Sequence, residues 1–244
     1  MEVPIVPAAT SMLLRENAGI LEVLLLKRNA QLSFAPNVWV FPGGRVDPED
    51  GLRDEPCTLE TAKKAAVREC KEETGINIDA TSLHHFCKWT TPKGGNKRFE
   101  TFFFHSIVLH EQSKVTIDDS EIVDQMWLTA REALDQLLSK KIDLLPPTFI
   151  SIERIKDCTT YADVIKEFDR TGIVIAEPVT TFKDGKFYSL YRGDSGYETA
   201  DLTKQNSLHR LTMDMSSSRY TIQHDNTPQP PVHGGVSLTS PEPR

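Results

Sequence analysis

Apolar residues come in short runs punctuated by polar turns along the first 145 residues. Residues 10–14 and 21–27 are two such runs around Arg15-Glu16-Asn17-Ala18-Gly19, which predicts two strands and a turn. Val38-Trp39-Val40-Phe41 is a shorter β-rich run that stops at Pro42-Gly43-Gly44. A polar, acidic stretch, residues 45–55, leads to residues 58–74, where the pattern becomes helical. Gly75 follows as a natural left-handed residue to end that helix. Residues 83–89 and 98–109 read as strands joined by the polar segment 90–97, and residues 121–128 as another strand. Residues 129–140 read as a helix with Thr129 as N-cap. Mainly antiparallel strands, with one helix in the middle and one at the end, predict an α+β fold rather than alternating βαβ units.

Past residue 145 the pattern changes. Pro146-Pro147-Thr148 opens a helix to about residue 156, and residues 161–168 start a second. Residues 173–175, 179–182, 187–191 and 219–223 are short strand candidates, and Lys183-Asp184-Gly185-Lys186 is a hairpin turn of the Asp-Gly kind. From Asn226 the chain is rich in Pro, Gly and Ser, which predicts a flexible tail. The expected organisation is a core over residues 1–145, an extension over 146–225 packed on it, and the tail 226–244. The extension could cover a substrate cleft, build a homodimer interface, or both.

The helix over residues 58–74 carries the candidate chemistry. Glu69, Glu72 and Glu73 stand at i, i+3 and i+4 and crowd one face. Like charges at that spacing repel by a few tenths of a kcal/mol per pair. A divalent cation relieves the conflict, and hard carboxylate oxygens suit Mg²⁺ or Mn²⁺. A solvated Glu/Lys helix can show the same trio, so both readings stand on these residues alone. Leu59, Ala62, Ala66 and Cys70 form an apolar stripe beside the carboxylates, and its alanines let the helix approach a sheet closely.

Charge changes the picture next. Twenty-eight Lys and Arg against 35 Asp and Glu leave a net charge of −7, so no nucleic-acid partner is expected. A phosphorylated small molecule then needs metal ions or local bases. Lys93, Lys97 and Arg98 are such a cluster, or else an ordinary solvated hairpin. No run approaches ~18 apolar residues, and the start lacks a basic-then-apolar leader, so neither a membrane partner nor secretion is expected. Four cysteines without C-x-x-C spacing argue against a zinc cluster or a disulfide framework and fit a reducing, cytoplasmic setting. The histidines show no paired spacing and are assigned no role. Phe102-Phe103-Phe104 reads as strand core, because only alternate residues can face one pocket.

Glu60, seven residues, and then Arg68-Glu69-Cys70-Lys71-Glu72-Glu73-Thr74-Gly75-Ile76 resembles the signature of the Nudix hydrolases, G-x5-E-x7-R-E-U-x-E-E-x-G-U with U apolar. Trp39-Val40-Phe41-Pro42-Gly43-Gly44 resembles the strand and double glycine that open it. Cys70 fills a U position as a small packed thiol. Fifteen residues, 45–59, separate Gly44 from Glu60 where the family has five. Glu60 keeps the family distance to Arg68 and is preferred as the first glutamate. Asp50 is the alternative, at the family distance from Gly44.

The resemblance implies a Nudix α/β/α sandwich with a mixed sheet. It also implies metal-dependent hydrolysis of a nucleoside diphosphate linked to another moiety. By the same resemblance Glu69 and Glu73 are the main ligands, Glu72 assists, and the carbonyl of Gly43 or Gly44 adds an oxygen. Glu69 is also the candidate proton acceptor. Arg68 steadies the carboxylates, with Glu60 as its partner or as an outer ligand. A later acid completes the set, Glu121 being preferred and Asp118, Asp119 and Glu100 its rivals.

Thr91-Pro92, Arg98-Phe99-Glu100-Thr101-Phe102-Phe103, Leu145-Pro146-Pro147-Thr148 and Gly193-Asp194-Ser195-Gly196-Tyr197 extend the likeness over about residues 8–200. They are similar to the subgroup with an interrupted box that includes animal peroxisomal coenzyme A diphosphatases. That likeness implies cleavage of coenzyme A or acyl-CoA to 3′,5′-ADP and phosphopantetheine. The alternatives are NADH, ADP-ribose or nucleoside triphosphates. The ending Ser240-Pro241-Glu242-Pro243-Arg244 matches no peroxisomal address, which favours the cytoplasmic expectation. A non-catalytic ligand sensor or binding module is the alternative of another class, disfavoured because all three box carboxylates are present.

Overall fold

The computed structural model describes residues 3–51, 56–117, 120–217 and 219–224. Asp118, Asp119 and the expected tail lie outside the described residues. β1 (Ile5–Asn17) and β2 (Ile20–Arg28) form a hairpin whose turn, Ala18-Gly19, has positive φ at both residues. That turn matches the right-handed twist of the flanking strands. β3 (Trp39–Val40) and β4 (Gly43–Arg45) flank Pro42, and α1 (Leu59–Thr74) follows. Next come β5 (His84–Thr90), β6 (Arg98–Ile107), β7 (Ile122–Leu128) and α2 (Ala130–Leu138). The rest of the chain gives α3 (Pro146–Ile155), α4 (Tyr161–Thr171), β8 (Val174–Ala176), β9 (Val179–Lys183), β10 (Lys186–Leu190), β11 (His209–Asp214) and β12 (Arg219–His224).

The larger sheet has eight strands in the order β3-β2-β1-β6-β5-β8, with β4 also on β1 and β7 on β2. It is mixed, because β1 runs parallel to β6 and β5 parallel to β8. β1 is longer than its apolar run predicts, since Pro7, Thr10 and Ser11 interrupt the hydrophobic pattern but not the pairing. β6 lies along one side of β1, while β4 takes residues 8–10 of the other side and β2 takes 14–17. The double glycine is thus held on the sheet as β4.

Helices cover both faces of this sheet. Leu13, Leu24, Leu26, Phe102 and Phe104 face the side of α1, where Ala62, Ala65, Ala66 and Cys70 are buried. Met12, Leu14, Val23, Leu25 and Phe103 face the other side, toward α2, α3 and α4. The three phenylalanines therefore divide between two cores as strand alternation requires. The apolar stripe of α1 needs one correction. Leu59 is 38% exposed, and Ala65 takes its place in the interface.

Residues beyond 145 join the same body. α3 and α4 contribute Ile150, Ile152, Val164 and Phe168 to the core under β1 and β2, and β8 extends the sheet at β5. A second sheet, β12-β11-β10-β9, is wholly antiparallel. Its strand β11 escapes the hydrophobic pattern because Arg210 is a buried charge, 2% exposed. Arg210 bonds Asp194 through two contacts of 2.6 and 2.7 Å, and Asp194 also accepts the backbone N–H groups of Gly196 and His209. A buried charge persists only with such partners.

Candidate active site

α1 begins where Thr58 accepts the Thr61 N–H at 3.1 Å and ends where Gly75, at φ 73°, donates to Lys71. Those caps set the phase of the helix and so the direction of its glutamates. Glu73 is 6% exposed, and its Oε2 accepts the Gly43 N–H at 2.8 Å. Gly44 lies against Glu69. A Cβ at Gly44 would meet the Glu69 carboxylate at 2.5 to 2.6 Å, and one at Gly43 would meet the Ala9 carbonyl oxygen at 2.4 Å. Both glycines are there because two backbones and a carboxylate approach too closely for a side chain.

Arg68 gathers the acids. Its Nη1 donates to Glu69 at 2.8 Å and to Glu72 at 3.1 Å. Its Nη2 donates to the Arg45 carbonyl at 3.0 Å and to Asp50 at 2.8 Å, and its Nε to Asp50 at 3.0 Å. Every N–H of the guanidinium thus has an acceptor. Asp50 is 4% exposed. It sits on a 3₁₀ turn, Pro48–Asp50, and also accepts the Asp47 N–H at 2.9 Å.

This corrects the placement of the first glutamate. Glu60 lies on the exposed first turn of α1, and Asp50 meets Arg68 instead. The ten extra residues therefore fall between that acid and Arg68, so counting back from Arg68 lands on the wrong carboxylate.

Electrostatics follow the geometry. Burial pushes the Glu73 carboxyl up to about 8, with the Glu69 and Glu121 charges adding and the Gly43 N–H and Arg28 opposing. Burial also raises Glu69, against the pull of Arg68. Burial works against ionisation of Asp50, but Arg68 outweighs it and holds that carboxyl below its ordinary value. Cys70 beside them is a buried thiol pushed up to about 12, which suits packing rather than nucleophilic work.

Glu69, Glu72 and Glu73 open into a cavity of about 1600 Å³ that Gly43, Gly44, Glu121, Lys97 and Arg98 also line. Glu121 is placed by Asn29, whose backbone N–H donates to the Glu121 carbonyl and whose side-chain amide donates to the Ser120 carbonyl, each at 2.8 Å. Glu100 points away and pairs with Lys88 at 3.0 Å, which removes it as a rival to Glu121. Arg98 is buried at the cavity wall with its Nε on the Thr91 carbonyl. Lys93 is exposed and outside the lining, so the basic cluster divides.

Arg28 escaped sequence reasoning. It lines the cavity, acts on Glu73, and keeps a buried Nε without a hydrogen-bond partner among the described residues. Counting by twos from Leu24 and Leu26 would have turned it toward α1.

The donor set suits a hard cation. Carboxylates of Glu69, Glu72 and Glu73 and the carbonyl of Gly44 offer hard oxygen donors, and burial makes Glu69 and Glu73 resist carrying their charges unaided. Among the described residues no three acidic, His or Cys side chains already converge as a finished cage. Glu69 and Glu72 are turned onto Arg68, and Glu73 onto Gly43.

Comparison with known proteins decides the family. The NUDIX domain matches residues 5–147, more than half of the chain. The chain belongs to the Nudix family. It is a Nudix hydrolase, an enzyme acting on phosphoric anhydride bonds, and members of this family generally need divalent metal ions. A putative nudix hydrolase 7 of Caenorhabditis elegans is 28% identical over 90% of this chain and 81% of its own length. An acyl-coenzyme A diphosphatase of Homo sapiens is 31% identical over 62% of this chain, a match spanning only 39% of that protein. A crystal structure of a NUDIX hydrolase from Alicyclobacillus acidocaldarius shares the fold, with a TM-score of 0.60 at 21% identity over 67% of this chain and 96% of that one. Among the described residues no helix of this Nudix hydrolase is long and apolar enough to cross a membrane.

Proposed function

We propose that this Nudix hydrolase cleaves the diphosphate of coenzyme A or an acyl-CoA, releasing 3′,5′-ADP and phosphopantetheine or its acylated form. The observation that carries the hydrolytic part is the glutamate face of α1, pressed on Gly44 and opening into the large cavity. The likeness to an acyl-coenzyme A diphosphatase supports the substrate.

In this reading Glu69 and Glu73 hold Mg²⁺ or Mn²⁺, with Glu72 assisting and the Gly44 carbonyl and Glu121 adding oxygens. The bound cation neutralises the diphosphate oxygens and acidifies water. Glu69 accepts the proton of the attacking water, a role suited to a carboxyl whose affinity for protons burial has raised. Water oxygen joins one phosphorus, the bridging P–O bond breaks, and the leaving phosphate takes up the charge. Arg68 positions Glu69 and Glu72 and is itself held by Asp50. Arg28, Lys97 and Arg98 meet substrate phosphates. Residues 1–145 form the hydrolytic core and 146–225 the extension that shapes its choice of substrate.

Chromatography of products from coenzyme A, NADH, ADP-ribose and nucleoside triphosphates, with Mg²⁺ or Mn²⁺, tests this. Coenzyme A left intact while another compound turns over would defeat the substrate assignment.

A further inference from the structure

The cavity is larger than phosphate cleavage requires. At about 1600 Å³ it exceeds the ~300–1,000 Å³ of most small-ligand sites. Its lining divides in chemistry. The carboxylates of α1, Arg28 and Arg98 are part of it, and so are side chains of the second sheet.

Strand register makes that second wall apolar. Phe182 pairs with Phe187, Phe187 with Met213, and Met213 with Tyr220, so one row of apolar groups crosses all four strands. All four line the cavity. The opposite face carries a polar row, Thr181, Tyr188, Thr212 and Thr221. An amphipathic sheet turns its apolar face to the core. Here Leu211 and Tyr220 join the core, but the row continues past it. Phe182 is 63% exposed, and Met215, just beyond β11, is 55% exposed. Tyr220 anchors the inner end, stacked on Phe149 at 4.4 Å and bonded to the Leu144 carbonyl at 2.7 Å. Contiguous apolar groups left open on a cavity wall mark a ligand surface. Flexible thioethers among them suit chains of differing shape.

A ligand that meets both parts of this lining carries a phosphorylated part and an apolar part. We propose that Phe182, Phe187, Met213 and Met215 form the subsite for the acyl chain of an acylated substrate. The inference rests on the coenzyme A reading above and adds to it where the chain binds and which residues set its preferred length.

The test uses the full chain with Mn²⁺ on free coenzyme A and on acetyl-, hexanoyl- and decanoyl-CoA. Wild type is compared with the double variant Phe182→Ser, Met215→Ser, with a thermal melt to confirm folding. The expected result is a rise in kcat/KM of about 10-fold or more from free coenzyme A to decanoyl-CoA, carried mainly by KM. In the variant the series flattens, while kcat/KM on free coenzyme A stays within about 2-fold. A flat wild-type series, or a slope that survives in the variant, overturns the subsite and leaves the coenzyme A reading standing. Failure to cleave any member while ADP-ribose or NADH turns over overturns both.

Discussion

Replacing Asp50 by Ala separates the two candidates for the first acidic position. The Asp50 carboxylate is 4% exposed and accepts two bonds from Arg68, at 2.8 and 3.0 Å, and one from the Asp47 N–H. Breaking a buried ion pair from one side costs roughly 3–5 kcal/mol. Arg68 is 18% exposed, so water re-solvates part of it and the low end applies, about 3 kcal/mol. For a chain of this size that is a fall in Tm of about 6–12 °C. Arg68 also loses the anchor that aims it at Glu69 and Glu72, and a drop in kcat of about 10–100-fold follows, equivalent to about 1.4–2.8 kcal/mol in the barrier. Glu60→Gln touches only the exposed first turn of α1, where the helix dipole is worth about 0.3–1 kcal/mol. Its kcat stays near wild type. Thermal melts and steady-state turnover with Mn²⁺ are measured on both variants in parallel. If Glu60→Gln reproduces the loss and Asp50→Ala is neutral, the assignment of Arg68's partner is wrong.

Glu73→Gln keeps an acceptor for the Gly43 N–H but removes a ligand charge, so turnover and Mn²⁺ affinity both collapse while circular dichroism is unchanged. In the metal-free protein Glu73 is raised from 4.5 to about 8, so its folded form favours the proton. Stability from this group is complete below pH 4.5 and is lost as pH rises through 8; urea midpoints across that window should fall, and Glu73→Gln or Mn²⁺ should flatten the curve. Gly44→Ala drives a Cβ to 2.5–2.6 Å from the Glu69 carboxylate, so kcat falls by about 100-fold with a smaller change in Tm, checked by paired turnover and melting assays. Asp194→Ala strands Arg210 inside the second sheet and costs about 3–5 kcal/mol in urea unfolding, whereas an exposed acid such as Glu111 replaced by Ala changes it by less than about 0.5 kcal/mol.

Much of the site was legible from local rules. The helix over about residues 58–74, the stop at Gly75 and the spacing of Glu69, Glu72 and Glu73 rest on local signals, and the structure keeps all of them. Strand existence was legible for the same reason. Partners were not, because the parallel pairing of β1 with β6 joins segments some 93 residues apart, Ile5 to Arg98, and no hydrophobic period records that. β11 was hidden by a buried arginine whose acid lies 16 residues earlier. Asp50 and Glu60 were confused because linear distance measures the chain, whereas the 3₁₀ turn at Pro48 folds Asp50 back over α1. Arg28 was missed because a charge at the end of an apolar strand reads as a solvated edge until the cavity beside it is seen.

The five-donor arrangement at Arg68 also bears on how the site would hold an ion. Its Nη1 sits between the Glu69 and Glu72 carboxylates as an internal counterion. Each carboxylate has a second oxygen and spare lone pairs, so a cation held by Glu69 and Glu72 would share them with this donor, and Arg68 would moderate its affinity while staying bonded. The same bonds hold the two glutamates apart and aimed. A lysine there would supply a charge but only three donors, two fewer than the five bonds Arg68 makes to Asp50, Glu69, Glu72 and the Arg45 carbonyl. Arginine at this position therefore tempers the charge of the site as well as bracing it.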